Sequence, residues 1–254
     1  LENINMQKLK QLYRSNYAGE TIVTTMTLSN SEWTPETEYI ANSVFNTFTT
    51  TQAIAIANGE SRANFDLRFI SGHKAGLGGE NSLQSYGCNA LYRDFAPDFL
   101  VATGDDIVEE IAKLTYPSEH IVYANAPYLL DYPGKFYLIP QNIPWDAGSL
   151  AVYLACFDGH KKIFMMGYDG YDMAGKVNNI YKNTNGYLPE SEHQNHDIWI
   201  KALHIIMTTY SDVEFIRIVP AKTYSVPESL SGLVNFRQID YRDFVLEADI
   251  GFIS

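Results

Sequence analysis

Cations, cysteines and long apolar runs are all scarce in this chain. It has 18 Lys and Arg against 30 Asp and Glu, a formal net charge of −12. That balance argues against duplex nucleic acid or an anionic membrane as the principal partner, because both select Lys/Arg surfaces. A small phosphorylated ligand is not excluded, since a few backbone N–H groups at a helix N-terminus can hold one. The two cysteines, Cys88 and Cys156, lie far apart and neither belongs to a CxxC pair. Buried thiols in a reducing compartment fit them better than a disulfide staple or a zinc site. The longest purely apolar run, Leu150 to Phe157, is far short of the roughly 18 residues a spanning helix needs. No charged-then-apolar leader opens the sequence, and a soluble, cytoplasmic protein is expected. No full GxGxxG is present, which lowers the case for a nicotinamide cofactor. Neither a repeat of about 20 to 50 residues nor a low-complexity stretch is found, so solenoids and linker-joined modules are disfavoured.

What is present suits a substantial core. The chain has 254 residues, 46% hydrophobic, with 18 tyrosines among its aromatics, a composition opposed to disorder. Strand-like runs recur at 21–26, 53–57, 99–102, 120–123, 162–166 and 213–219. Several are continuously apolar, as parallel strands covered on both faces are. Helical patterns at 105–113, 149–157 and about 193–210 lie between them. Strands alternating with helices predict an α/β fold: a Rossmann-like, doubly wound, mostly parallel sheet with helices on both faces. Residues 49–254 are assigned to this nucleotide-binding unit. Residues 1–48 are read as a preceding helical and strand cap packed on the core, with an amphipathic piece at 6–13 and a polar helix at 32–48. The segment after Pro220 carries turn residues and then a charged stretch at 237–243.

Polar residues cluster where strands end. The run 53–57 stops on Asn58-Gly59-Glu60-Ser61, and in open α/β sheets ligands bind at the carboxyl ends of strands, where glycine permits close approach. An ordinary Asn-Gly turn explains the same residues. Asn89 follows a short strand, and its amide can bond a ribose hydroxyl or a base edge. Asp105 and Asp106 follow Gly104 and either hold a divalent metal through hard oxygen ligands or cap and charge the helix that begins there. Gly148 and Ser149 head an apolar helix, as an anion site or as a simple N-cap. The strand 162–166 opens onto Gly167, Tyr168, Asp169 and, two residues on, Tyr171. Tyr171 and Tyr181 flank a Gly/Asn/Lys loop. His193 and His196 stand at the entrance of the last long helix, where an imidazole suits general-base work.

In this order, the pieces Asn58-Gly59, Cys88-Asn89 with Tyr92, Gly148-Ser149, the segment 163–171 and His193 before Lys201-Ala202-Leu203 resemble the bacterial sialyltransferases of glycosyltransferase family 42. They also resemble the related MptE-like proteins, formerly a domain of unknown function, which include a pterin diphosphokinase. The likeness spans about residues 52–220 and lies in the succession of short motifs. It implies a Rossmann-like domain binding a CMP-sugar-type nucleotide-sugar donor and transferring the sugar to a hydroxyl of a small glycan or other acceptor. By that resemblance Asn58, Gly59, Ser61, Asn89, Gly148, Ser149 and Asp169 form the nucleotide site. Tyr171 and Tyr181 hold the departing phosphate, and His193 is the base. No cofactor is then required. The diphosphokinase alternative needs Mg²⁺, with Asp105, Asp106 and Asp169 as candidate ligands, and a third reading is a binding module without turnover. Two departures stand out: Glu60 replaces the family's proline, and Ile143 to Ser149 replaces its Arg-Ile-Thr-Ser-Gly segment. Neither the acceptor nor an interface for a homo-oligomer is legible in the sequence.

Overall fold

The computed structural model describes residues 7–10, 14–15, 20–29, 32–41, 52–75, 83–169, 178–188 and 196–251. The first four of these segments build an antiparallel sheet: β1 (Gln7–Lys10), β2 (Arg14–Ser15), β3 (Glu20–Ser29) and β4 (Glu32–Ala41), all paired to β3. This corrects the expected polar helix at 32–48 over residues 32–41, its remainder lying outside the described residues, and makes residues 7–10 of the amphipathic piece at 6–13 a strand. The glutamates of β4 suggest a helical face, but Pro35 disfavours a helix interior. Trp33, Thr34, Thr37, Tyr39 and Ile40 favour an extended chain. Ser29 pairs with Glu32 and Glu20 with Ala41 along one continuous antiparallel register.

From residue 52 the chain forms a single eight-stranded parallel sheet. Its strands are β5 (Gln52–Ile56), β6 (Gln84–Cys88), β7 (Phe99–Val101), β8 (Ile121–Ala124), β9 (Tyr137–Leu138), β10 (Lys162–Met166), β11 (Glu214–Val219) and β12 (Phe236–Asp240), in spatial order β12-β11-β10-β5-β6-β7-β8-β9. The chain enters at β5, winds outwards to β9, then returns to lay β10 against the other side of β5. Winding direction therefore reverses between β5 and β10, which defines a topological switch point.

The helices are α1 (Arg68–Ser71), α2 (Asp105–Lys113), α3 (Tyr116–Glu119), α4 (Ala126–Asp131), α5 (Ala147–Phe157), α6 (His196–Thr209), α7 (Glu228–Ser231) and α8 (Tyr241–Glu247). Period-2 alternation along β5 sends Ala53 and Ala55 to one face and Ile54 and Ile56 to the other. The alanine face admits α5 closely, and α5 is buried from Ser149 to Phe157 between the sheet and Leu203, Ile206 and Met207 of α6. On the isoleucine face, Ile107, Val108 and Ile111 of α2 and Phe244 of α8 complete a second core layer. Both faces are thus covered, as the continuously apolar strands require. The strand β12, inside the stretch whose role the sequence left open, pairs with β11 from Phe215↔Phe236 to Val219↔Asp240.

Candidate functional site

At the switch point the carboxyl ends of β5 and β10 touch backbone to backbone. Ala57 N–H donates to the Met166 carbonyl (2.8 Å) and Gly59 N–H to that of Gly167 (3.0 Å). A Cβ on Gly59 would lie 2.4 Å from the Gly167 oxygen and 2.5 Å from Asp169 Cγ. Gly167 has φ +75°, and a Cβ there would lie 2.5 Å from the Ala57 oxygen. Both positions demand glycine. The sequence reading gives Gly59 to the approach of a ligand, whereas the space it leaves is taken by the protein's own second loop.

Beside this junction lies a cavity of about 230 Å³. Its walls come from the ends of β5 (Ala57, Asn58, Gly59), β6 (Cys88, Asn89) and β7 (Thr103, Gly104), and from the start of α5 (Asp146, Ala147, Gly148). Gly167, Tyr168 and Asp169 after β10, Asn178, Asn179 and Tyr187 from the loop that follows, and Trp199 of α6 complete it. Asn58, Gly59, Asn89, Gly148 and Asp169, expected from sequence to share a site, are brought together here from segments over a hundred residues apart.

The strand-end loops are tied to one another by side chains. Asn58 Nδ2 donates to the Cys88 carbonyl (3.3 Å) and reaches the Tyr187 hydroxyl (3.4 Å). Asn89, at φ +46°, accepts Thr103 N–H on Oδ1 (2.9 Å). Asn178 and Asn179 likewise accept the N–H groups of Glu60 (2.7 Å) and Tyr181 (2.9 Å) on Oδ1. Tyr168 donates its hydroxyl to the Gly148 carbonyl (2.8 Å) and so fixes α5 against the β10 loop. Two buried arginines bond carbonyls of the same two loops. Arg62 Nε donates to Ala57 (2.7 Å) and Arg217 Nε to Tyr168 (2.7 Å), and neither lines the cavity.

Among the described lining residues the only ionic side chains are the carboxylates of Asp146 and Asp169, with no Lys, Arg or His. Asp146 is the N-cap of α5: Oδ1 accepts Ser149 N–H (2.9 Å) and Oδ2 the Ser149 hydroxyl (2.6 Å). This corrects the view of Ser149 as cap or anion ligand. Ser149 is buried at the third helical position, and Asp146 already supplies the anion that the helix dipole favours. Asp169 Oδ2 accepts Ser61 N–H (2.8 Å), while Oδ1 is buried with no hydrogen-bond partner. Burial, aided by Asp146, pushes the Cys88 thiol up to about 12, so it remains protonated and is no nucleophile. Burial also pushes the Tyr187 hydroxyl up to about 12.

The chain matches no family model, no curated protein and no solved structure.

Several expected residues stand elsewhere. Tyr181 is behind the wall: its hydroxyl donates to Asp94 Oδ2 (2.6 Å) and accepts from Arg62 (3.0 Å), and burial raises its pKa. Tyr187 lines the cavity in its stead. Ser61 contributes through its backbone N–H to Asp169 and does not line the cavity. Asp105 and Asp106 are exposed at the first positions of α2, whose N-cap is Gly104 at φ +92°, so neither caps it with a side chain. Asp105 accepts the Tyr128 hydroxyl (2.8 Å) instead. Glu60, which stands where the family has proline, is exposed and ion-paired with Lys182. Tyr171 and His193 lie outside the described residues, as does the side chain of His196. No three of His, Cys, Asp and Glu converge among the described residues. Thr103, Asn178, Asn179 and Trp199 were not singled out from sequence. Only Trp199, one helical turn into α6 beside the His193 segment, carried a local hint.

Proposed function

We propose that this chain is a nucleotide-sugar-dependent glycosyltransferase of the sialyltransferase-like kind, with the nucleoside of its donor in the switch-point cavity. The observation that carries the reading is the collection of Asn58, Gly59, Asn89, Gly148 and Asp169 around one cavity at the carboxyl ends of parallel strands, where open α/β sheets bind nucleotides. Asn178 and Asn179 spend Oδ1 on backbone N–H groups, and an amide so engaged keeps its Nδ2 as a donor for carbonyl and ring-nitrogen acceptors. Carboxylates suit hydroxyl and amine donors, and Trp199 offers an aromatic face. A nucleoside presents all three complements.

In the transfer step the acceptor oxygen attacks the anomeric carbon while the bond from that carbon to the donor phosphate breaks. The phosphate leaves with the electron pair, and His193 takes the acceptor proton. Tyr171 offsets charge on the departing phosphate. Tyr181 has no part in this, because its hydroxyl is committed to Asp94 and Arg62. The diphosphokinase reading retains one supporting observation, the unpartnered Oδ1 of Asp169, which a magnesium ion would satisfy. Asp105 and Asp106 offer that reading nothing in the cavity.

A thermal-unfolding screen with CMP, UDP, GDP and ATP tests the nucleotide site. A ligand at 100 times its Kd should stabilise the fold by roughly 2.7 kcal/mol. The reading expects at least one to do so, and expects His193→Ala to abolish sugar transfer while that stabilisation persists. A screen in which none shifts unfolding would sink it. An absolute Mg²⁺ requirement with ATP as donor would favour the diphosphokinase.

A further inference from the structure

The reading above leaves open which part of a nucleotide the cavity takes, and its electrostatics bear on that. The described walls set two carboxylates against no cation. Asp146 contributes its charge from the helix start, where a phosphate would otherwise be welcomed. Asp169 has one oxygen on Ser61 and the other buried without a partner. A carboxylate on the wall accepts from a ligand O–H or N–H, whereas phosphate oxygens bring only further acceptors and negative charge.

Two buried arginines among the described residues do not reverse this. Arg62 is engaged by the Ala57 carbonyl, Asn58 and Tyr181, and Arg217 by the carbonyls of Tyr168 and Ser225 and by Gln238. Both act from behind the wall, so they moderate its charge without offering a donor to a ligand. Size points the same way: about 230 Å³ is below the ~300–1,000 Å³ usual for sites that enclose a drug-sized ligand. One nucleoside fits this scale, and a whole nucleotide-sugar does not.

We infer that the cavity recognises the uncharged, hydroxyl-bearing nucleoside and disfavours phosphate, so that the donor's phosphate is held outside the described walls. This rests on the proposed nucleotide site, and it makes Asp169 the residue that sets the preference.

The test is calorimetric titration of the full chain with cytidine, uridine, guanosine and adenosine and with their 5′-monophosphates, in EDTA so that no divalent ion bridges phosphate to carboxylate. The best nucleoside should bind at least as tightly as its own monophosphate. Asp169→Asn keeps an acceptor for Ser61 N–H and removes the charge. It should shift the ratio of the two affinities towards the monophosphate by about tenfold, the order expected for one charge at short range in a partly screened site. Should that variant not fold, Asp146→Asn, which retains an N-cap acceptor, should shift the ratio in the same direction. A monophosphate tenfold tighter than its nucleoside in the unaltered protein, or a ratio unmoved by the substitution, overturns the inference and leaves the nucleotide site standing. Binding of none of the eight compounds defeats both.

Discussion

A methyl group at position 59 would sit 2.4 Å from the carbonyl oxygen of Gly167 and 2.5 Å from the Asp169 carboxyl carbon. Backbone cannot yield there without breaking the Gly59 to Gly167 hydrogen bond. Gly59→Ala is therefore expected to lower the stability of the fold by about 1–3 kcal/mol, the usual cost of overpacking, measured by chemical denaturation. Unchanged stability would show that the two loops separate readily. Asn58, Gly59, Asn89 and Gly148 stand on the cavity wall, where glycine and asparagine at strand ends answer to backbone geometry that a sequence exposes. Ser149 and Tyr181 do not line it: the Ser149 hydroxyl is taken by Asp146 three residues earlier, and the Tyr181 hydroxyl by partners distant in sequence. Asp94 lies 87 residues from Tyr181, and no local pattern announces it.

Among elements, the parallel sheet separates its two tasks by end. The carboxyl ends carry the cavity, while the opposite ends of β10, β11 and β12 are joined to α8 by charge. Arg237 donates to both oxygens of Glu247, Lys162 to one of them (3.0 Å), and Arg237 Nε to Glu214 (2.7 Å). The Arg237 hydrogen bond, with Lys162 beside it, holds Glu247 below the ordinary carboxylate range. A carboxylate depressed in the folded state stabilises it above the unfolded pKa, and that stability is lost as pH falls through the lower folded value. Glu247→Gln should thus be less stable than the unaltered protein at neutral pH, and the difference should vanish in acid. A difference that persists unchanged below the carboxylate range would show that packing, not charge, joins α8 to the sheet. The strands β5, β10 and β11 were legible as short, mostly apolar runs, since a strand covered on both faces carries few polar positions. The strand β12, at the sheet edge and only partly buried, reads in sequence as a charged stretch. The antiparallel β4 reads as a polar helix because Glu32 and Glu36 stand four apart, although Glu36 and Glu38 and the β-formers around them keep strand spacing.

For the whole molecule, the net charge of −12 now has a local counterpart. The cavity is lined by amides, aromatic rings and two carboxylates, and the buried arginines near it serve backbone carbonyls. Fold class was legible because alternation of strands and helices fixes the layers. The switch point became visible only with strand order, since nothing in the run at 162–166 tells that it returns to lie beside 52–56. The central claim is that this cavity is where a nucleoside binds. Its most direct test is calorimetric titration of the nucleosides and their monophosphates into the unaltered protein and into Thr103→Trp, which places an indole on the cavity wall. At least one compound should bind the unaltered protein, and Thr103→Trp should abolish that binding with thermal unfolding unchanged. Binding that survives the substitution, or no binding to either protein, would contradict the account.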